Sequence, residues 1–245
     1  MEEKLYTIPV NDAFDQKCEC PVCMMRKKLE DDAIAYTLGP SYMEDDVRME
    51  TDKLGFCSRH LDVLYHQSNQ LGLAIILSTH FAKINANVEK LSGAATQPVR
   101  AKLFAKKDSL PGNPLTDYLD KLNGSCFICN RVDGTFGRYI NTIFYLYRTE
   151  EDFRKKFAAS NGFCTAHLSL LLREAGSHLH GETLTSFCKT GTSLYLENMK
   201  RVQGDLEWFV DKFDYRNTNE PWKNSKDAIP RAITKVGSIV YEEDK

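Results

Sequence analysis

A chain of 245 residues can bury a real hydrophobic core, and its 42% apolar and 27% charged residues are the mixture of a globular protein, not a disordered one. A formal net charge of −2 gives no general basic surface, which removes nucleic acid and anionic membranes as default partners. What is left is a protein or small-molecule partner of unknown kind, with no membrane span, because the longest apolar-rich stretch, Leu71 to Leu77, is too short to cross a bilayer.

The opening segment MEEKLYTIPVNDAFDQ lacks the basic region and apolar core of a secretory signal, so a cytoplasmic location is expected. In that reducing setting, eight cysteines point to metal or redox chemistry and not to disulfides. The first pair, Cys20-Pro-Val-Cys23, leads into a helical pattern in which Leu29, Ala33, Tyr36 and Thr37 share a face. Ser41-x-x-Glu44 then reads as a capping box opening a short second helix, which Gly55 ends. Gly55-Phe56-Cys57-Ser-Arg-His60-Leu61 follows, and further helix is expected from Leu61 and, after a break, from Leu71 to Leu91. Ser92 to Asn113, with Gly93, Pro98, Pro111 and Gly112, has the composition of a linker.

The pattern then repeats. Cys126-Phe-Ile-Cys129 leads into a helix carrying Phe136, Ile140, Ile143, Phe144 and Tyr147. Thr149-x-x-Asp152 takes the place of the first capping box, and Gly162-Phe163-Cys164-Thr-Ala-His167-Leu168 takes the place of the first C-x2-H motif. Helix is expected again from Leu168 and from Glu182 to Phe213. Beyond Arg216 the chain is irregular until Asp227, which is positioned to cap a last short helix with Pro230 in its first turn.

Between Cys23 and Cys57 lie residues 24–56, and between Cys129 and Cys164 lie residues 130–163, so the two intervals differ by one residue. Such agreement indicates a duplicated unit. The fold expected is all-α: two tandem helical repeats with pseudo-two-fold symmetry, each organised around its own Cys3His metal site. The boundaries are 1–92 for the first repeat, 93–113 for the linker, 114–216 for the second repeat and 217–245 for the tail. The expected ligand sets are Cys20, Cys23, Cys57 and His60 in the first repeat, and Cys126, Cys129, Cys164 and His167 in the second. Three thiolates and an imidazole are a frequent structural zinc set, so two zinc ions are expected, with iron–sulfur clusters as the alternative. A thioredoxin-like role for C-x2-C is disfavoured, because no strand pattern precedes either pair.

Other residues fit simpler roles. Cys18 has Gly124 at its counterpart position and reads as a bystander thiol, and Cys188 as a packing residue beside Phe187. His80 reads as a hydrogen-bonded core histidine. His178-Leu-His180-Gly-Glu182 contains an H-x-E element but lacks the downstream P-C-x-x-C of the zinc deaminases. The acidic run Glu44, Asp45, Asp46, Glu50 and Asp52 reads as a solvated helix face, and Trp208, Phe209, Phe213 and Trp222 as C-terminal packing.

Taken together, C-P-x-C, the repeated G-F-C-x2-H-L and the tail elements K-F-D-Y-R, E-P-W and A-I-P-R-A resemble an uncharacterised prokaryotic family known only as a domain of unknown function. The resemblance runs from about Leu5 to Gly237 and implies a common fold without an activity. The reading from the residues themselves is a metal-binding, noncatalytic binding or scaffold protein. Its alternatives are an iron–sulfur redox protein or a zinc-thiolate group-transfer enzyme.

Overall fold

The computed structural model describes residues 5–95 and 113–241. Among the described residues there are eleven α-helices and no strand. After α1 (Thr7–Asp15), the order α2 (Pro21–Leu38), α3 (Asp45–Leu54), α4 (Ser58–Tyr65) and α5 (Gln70–Ala95) recurs. After α6 (Pro114–Asn123) come α7 (Phe127–Thr149), α8 (Glu151–Ala159), α9 (Thr165–His178) and α10 (Gly181–Asp211), and α11 (Ala228–Gly237) closes the chain. The duplicated order of elements is the one the motifs imply. No helix among the described residues is long and apolar enough to cross a membrane.

Contacts divide the chain otherwise than at the expected linker. One compact unit comprises Met1–Leu29 with Gly134–Lys245, and the other comprises Glu30–Asp133. The passages between units fall inside α2 and α7, so neither long helix belongs to one unit alone. Ser92 to Ala95, read as the start of a linker, belong to the end of α5, and residues 96–112 lie outside the described residues. The tail is no appendage either, since α11 packs on α9 and α10 within the first unit.

The first unit has an aromatic core. Phe136, Ile140, Ile143, Phe144 and Tyr147 form the buried face of α7, as their helical spacing predicts. Phe157 of α8 is fully buried, with the rings of Tyr147, Phe163 and Phe187 centred 5.1, 5.2 and 5.0 Å away. Each such ring contributes about 1.5–3 kcal/mol by leaving water. Cys188 packs against this core as expected. The second unit buries smaller side chains, among them Ala33, Ile34, Val47, Leu64, Leu73 and Ile76.

The helix ends are partly as expected. Neither capping box forms. Ser41 sits in a 3-10 turn, Pro40–Met43, and its hydroxyl donates to Tyr36 O, while Thr149 remains inside α7 and donates to Tyr145 O at 2.8 Å. A hydroxyl that can reach a carbonyl of the preceding turn has no need of the next helix's N–H groups. Asp45 and Asp46 in α3, and Glu151 and Asp152 in α8, instead place negative charge in the first turn. The capping box that does form is Asn113 with Thr116 at the start of α6. Asp227 occupies the N-cap position of α11 without a side-chain cap and pairs with Arg231 at 2.8 Å.

The two glycines behave as their positions require. Gly55 has φ +57° and Gly162 φ +73°. A Cβ on Gly55 would lie 2.7 Å from His80 Nε2, and one on Gly162 would lie 3.0 Å from Leu194 O. His80 itself donates from Nδ1 to Asp52 O at 3.0 Å, the hydrogen-bonded core histidine expected.

Gly55→Ala therefore meets both a left-handed backbone and the His80 ring, and should lower stability by about 1–3 kcal/mol. Gly134 is exposed within α7 with nothing within 4 Å of a Cβ, so Gly134→Ala should have the opposite sign. Urea unfolding of the two variants measures both.

Candidate metal centres

Each ligand motif sits at the N-terminus of a helix. Cys20 and Cys126 immediately precede α2 and α7, and Cys57 and Cys164 are the N-cap residues of α4 and α9. Free backbone N–H groups there favour thiolates: Cys129 N–H donates to Cys126 Sγ at 3.5 Å, and His167 N–H to Cys164 Sγ at 3.4 Å.

All eight expected ligands fall into two groups of four, but the groups are crossed between the copies. Cys20 and Cys23 meet Cys164 and His167, and Cys57 and His60 meet Cys126 and Cys129. The expected sets, Cys20–Cys23–Cys57–His60 and Cys126–Cys129–Cys164–His167, do not form. The helices between the paired motifs are unequal in length. The chain leaves Cys23 along α2, 18 residues or about 27 Å, and returns along α3, 10 residues or about 15 Å. In the second copy α7 has 23 residues and α8 only 9, about 35 Å out and about 14 Å back. In both copies the helix after the turn is shorter than the one before it, and each half-set closes on the other copy's. The consequence is one centre in each compact unit, Cys20, Cys23, Cys164 and His167 in the first and Cys57, His60, Cys126 and Cys129 in the second.

In the first unit His167 Nδ1 lies 3.6, 3.2 and 3.1 Å from the Sγ atoms of Cys20, Cys23 and Cys164, and Cys23 and Cys164 Sγ are 3.6 Å apart. In the second unit His60 Nδ1 lies 3.2, 3.3 and 3.4 Å from Cys57, Cys126 and Cys129 Sγ, and Cys57 and Cys129 Sγ are 4.0 Å apart. Four tetrahedral ligands around one zinc would give sulfur–sulfur separations of about 3.8 Å and sulfur–nitrogen separations of about 3.6 Å. In each group all four ligand atoms lie within 4.8 Å of one another, so the residues fit one ion apiece. All eight cysteines of the chain are free thiols.

The thiols perturb one another strongly. Burial pushes Cys20 up to about 12, and hydrogen bonding to Cys164 and Cys20 pushes Cys23 higher still, while contact with Cys20, Cys23 and then His167 holds Cys164 far below the usual thiol range. In the second unit burial opposes ionisation of Cys126, but His60 and the backbone N–H groups of Cys129 and Cys57 bring it down to about 6. Burial and then the charge of Cys126 push Cys129 up to about 12. One thiolate forms easily in such a set, whereas three require a cation among them.

The surroundings of the two centres differ. In the first unit all four ligands are buried, Cys164 Sγ lies 3.1 Å from Ser238 Oγ, and the His167 ring is centred 5.7 Å from Phe136. Lys235, 1% exposed, joins both ligand segments, donating to Glu19 O at 2.7 Å and Asn161 O at 2.6 Å. Its charge faces the Glu19 carboxylate at 3.3 Å, which Arg201 also holds at 2.6 Å. In the second unit Cys57 and Cys129 are only half-buried, and Glu30 Oε1 lies 2.6 Å from His60 Nε2 and 2.5 Å from Arg59. The two ligand segments are tied by Phe127 N–H donating to Gly55 O at 2.9 Å.

Cys18 stays outside both groups, its thiol pushed up to about 11 by burial. His178 stacks on Phe144 with ring centroids 4.8 Å apart, and the H-x-E element contributes to neither group. No motif marks Glu30, Ser238 and Lys235, because their contacts are with residues distant in the chain.

The chain belongs to a family of unknown function, DUF6062, whose model matches residues 1–243. No curated protein and no solved structure matches it.

The crossed pairing has a direct test in paired variants. Cys20→Ser with Cys164→Ser should cost one equivalent of bound metal, because both changes strike one centre, whereas Cys20→Ser with Cys57→Ser should cost two. Metal analysis of the purified variants separates this from pairing within repeats, which requires the reverse. Lys235→Ala should destabilise the first unit by about 3–5 kcal/mol, since it leaves the buried Glu19 carboxylate short of a cation and two carbonyls without a donor. Thermal unfolding at fixed metal loading reads that loss.

Proposed function

We propose that this is a cytoplasmic protein in which two zinc ions, one per compact unit, act as structural closures of a noncatalytic helical scaffold that binds a protein or small-molecule partner. The observation that carries the reading is the convergence of three sulfurs and one Nδ1 within 4.8 Å in each unit. Four protein ligands complete a tetrahedral zinc and leave no position for a reactive water, which is the mark of a structural site. An iron–sulfur cluster distributes its ligands over several irons and spreads their sulfurs, so compact groups of this size favour a single ion. Free thiols at all eight cysteines accord with a reducing compartment.

Zinc held by such sets contributes about 10–16 kcal/mol in small finger peptides, enough to decide whether segments far apart in a chain stay together. Elemental analysis of untagged protein purified without added metal should find about two zinc ions per chain, the count set by two closed sites. The protein should be colourless, and removal of zinc by a chelator should broaden or abolish the cooperative thermal transition. Stoichiometric iron with a visible absorption band, or an unchanged transition after complete zinc removal, would contradict the reading.

A further inference from the structure

We propose that the centre of the second unit is an exchangeable zinc site and that Glu30 is the positioning residue that restrains its exchange. The inference rests on the zinc reading above and goes beyond it by making the two centres unlike in behaviour.

His60 presents Nδ1 to the three sulfurs, so its other nitrogen, Nε2, carries the proton and donates to Glu30 Oε1 at 2.6 Å. A carboxylate behind a ligating histidine fixes the ring's tautomer and orientation and raises the basicity of the ligating nitrogen. Arg59 donates to the same oxygen at 2.5 Å, which explains why its guanidinium also lies 3.1 Å from Nε2: two donors share one acceptor. Glu30 lies on α2 with its side chain 17% exposed, held on a helix and not on a loop. No carboxylate among the described residues meets His167 in the first centre, where the ring faces Phe136.

The ways out of the two centres differ as well. All four ligands of the first are buried, and the tail covers Cys164 with Ser238. In the second, Cys57 and Cys129 are half-buried, so an incoming donor can reach the ion from their side. Exchange then proceeds by substitution. Zinc held there by Cys57, His60, Cys126 and Cys129 would pass to an incoming donor in exchange for Cys57 or Cys129, and the released thiolate would take a proton from water. His60 is buried and braced by Glu30, and so leaves last. The design combines open thiolates with a fixed imidazole, giving access without free loss.

The test uses the full-length, zinc-loaded protein and the colorimetric chelator pyridylazoresorcinol. Wild type should release zinc in two phases of equal amplitude, and Cys57→Ser should lack the fast one. Glu30→Ala should accelerate the fast phase by about 10- to 100-fold and leave the slow phase unchanged. Glu30→Gln keeps an acceptor for Nε2–H and should fall between the two. In the cobalt-substituted protein, Glu30→Ala should shift the ligand-field bands of one of the two ions, a change that loosened packing elsewhere would not produce. A single release phase in wild type, a fast phase indifferent to Glu30→Ala, or equal acceleration of both phases would overturn the proposal. Two bound zinc ions with such kinetics would leave the structural-zinc reading intact, whereas absence of bound zinc would overturn both.

Discussion

The crossed closure of the two Cys3His groups is the constraint on which the rest of this structure depends. Neither copy completes a set of three cysteines and one histidine from its own residues. The chain-entropy cost of crossing is small. Closing Cys23 on Cys164, 141 positions away, instead of on Cys57 costs only about 1 kcal/mol more, because loop entropy grows with the logarithm of length. The outcome is that each compact unit draws on both copies, and the N-terminal 29 residues belong with the C-terminal stretch.

Much of this was legible in the sequence, and the part that was not has a physical explanation. The eight residues of the two Cys3His groups were readable because a C-x2-C or C-x2-H pair is a local device at a helix start, and its spacing is fixed by the turn that carries it. Gly55 and Gly162 were readable for the same reason, since positive φ is a property of one residue. The duplicated helix order followed from the repeated motifs. Pairing of the half-sets is not local, and no motif says which C-x2-C meets which C-x2-H. Glu30 and Lys235 were beyond such reasoning, because they act on partners 30 and 216 positions away in the chain. The capping boxes misled because a Ser or Thr near a helix end has two hydrogen-bonding choices, and here both hydroxyls turn back to the preceding carbonyls.

The charge around each centre accounts for how their surroundings differ. Three thiolates and a neutral imidazole around a divalent cation leave a net charge of about −1. In the first unit such a charge would be fully buried, where an uncompensated ion is expensive. Lys235 faces Cys20 from within the core, but a buried ammonium carries the same penalty, and burial does depress its pKa. Glu19 answers Lys235, and Arg201 answers Glu19 from a position 37% exposed, so the chain of alternating charges ends at the surface. In the second unit Arg59, 59% exposed, faces Cys129 and Cys57 directly, and solvent screens the remainder. No buried relay is needed there, and the place behind the histidine is left for Glu30. Burial of one centre thus dictates a network of long-range ion pairs through the tail, and the partial exposure of the other removes the requirement.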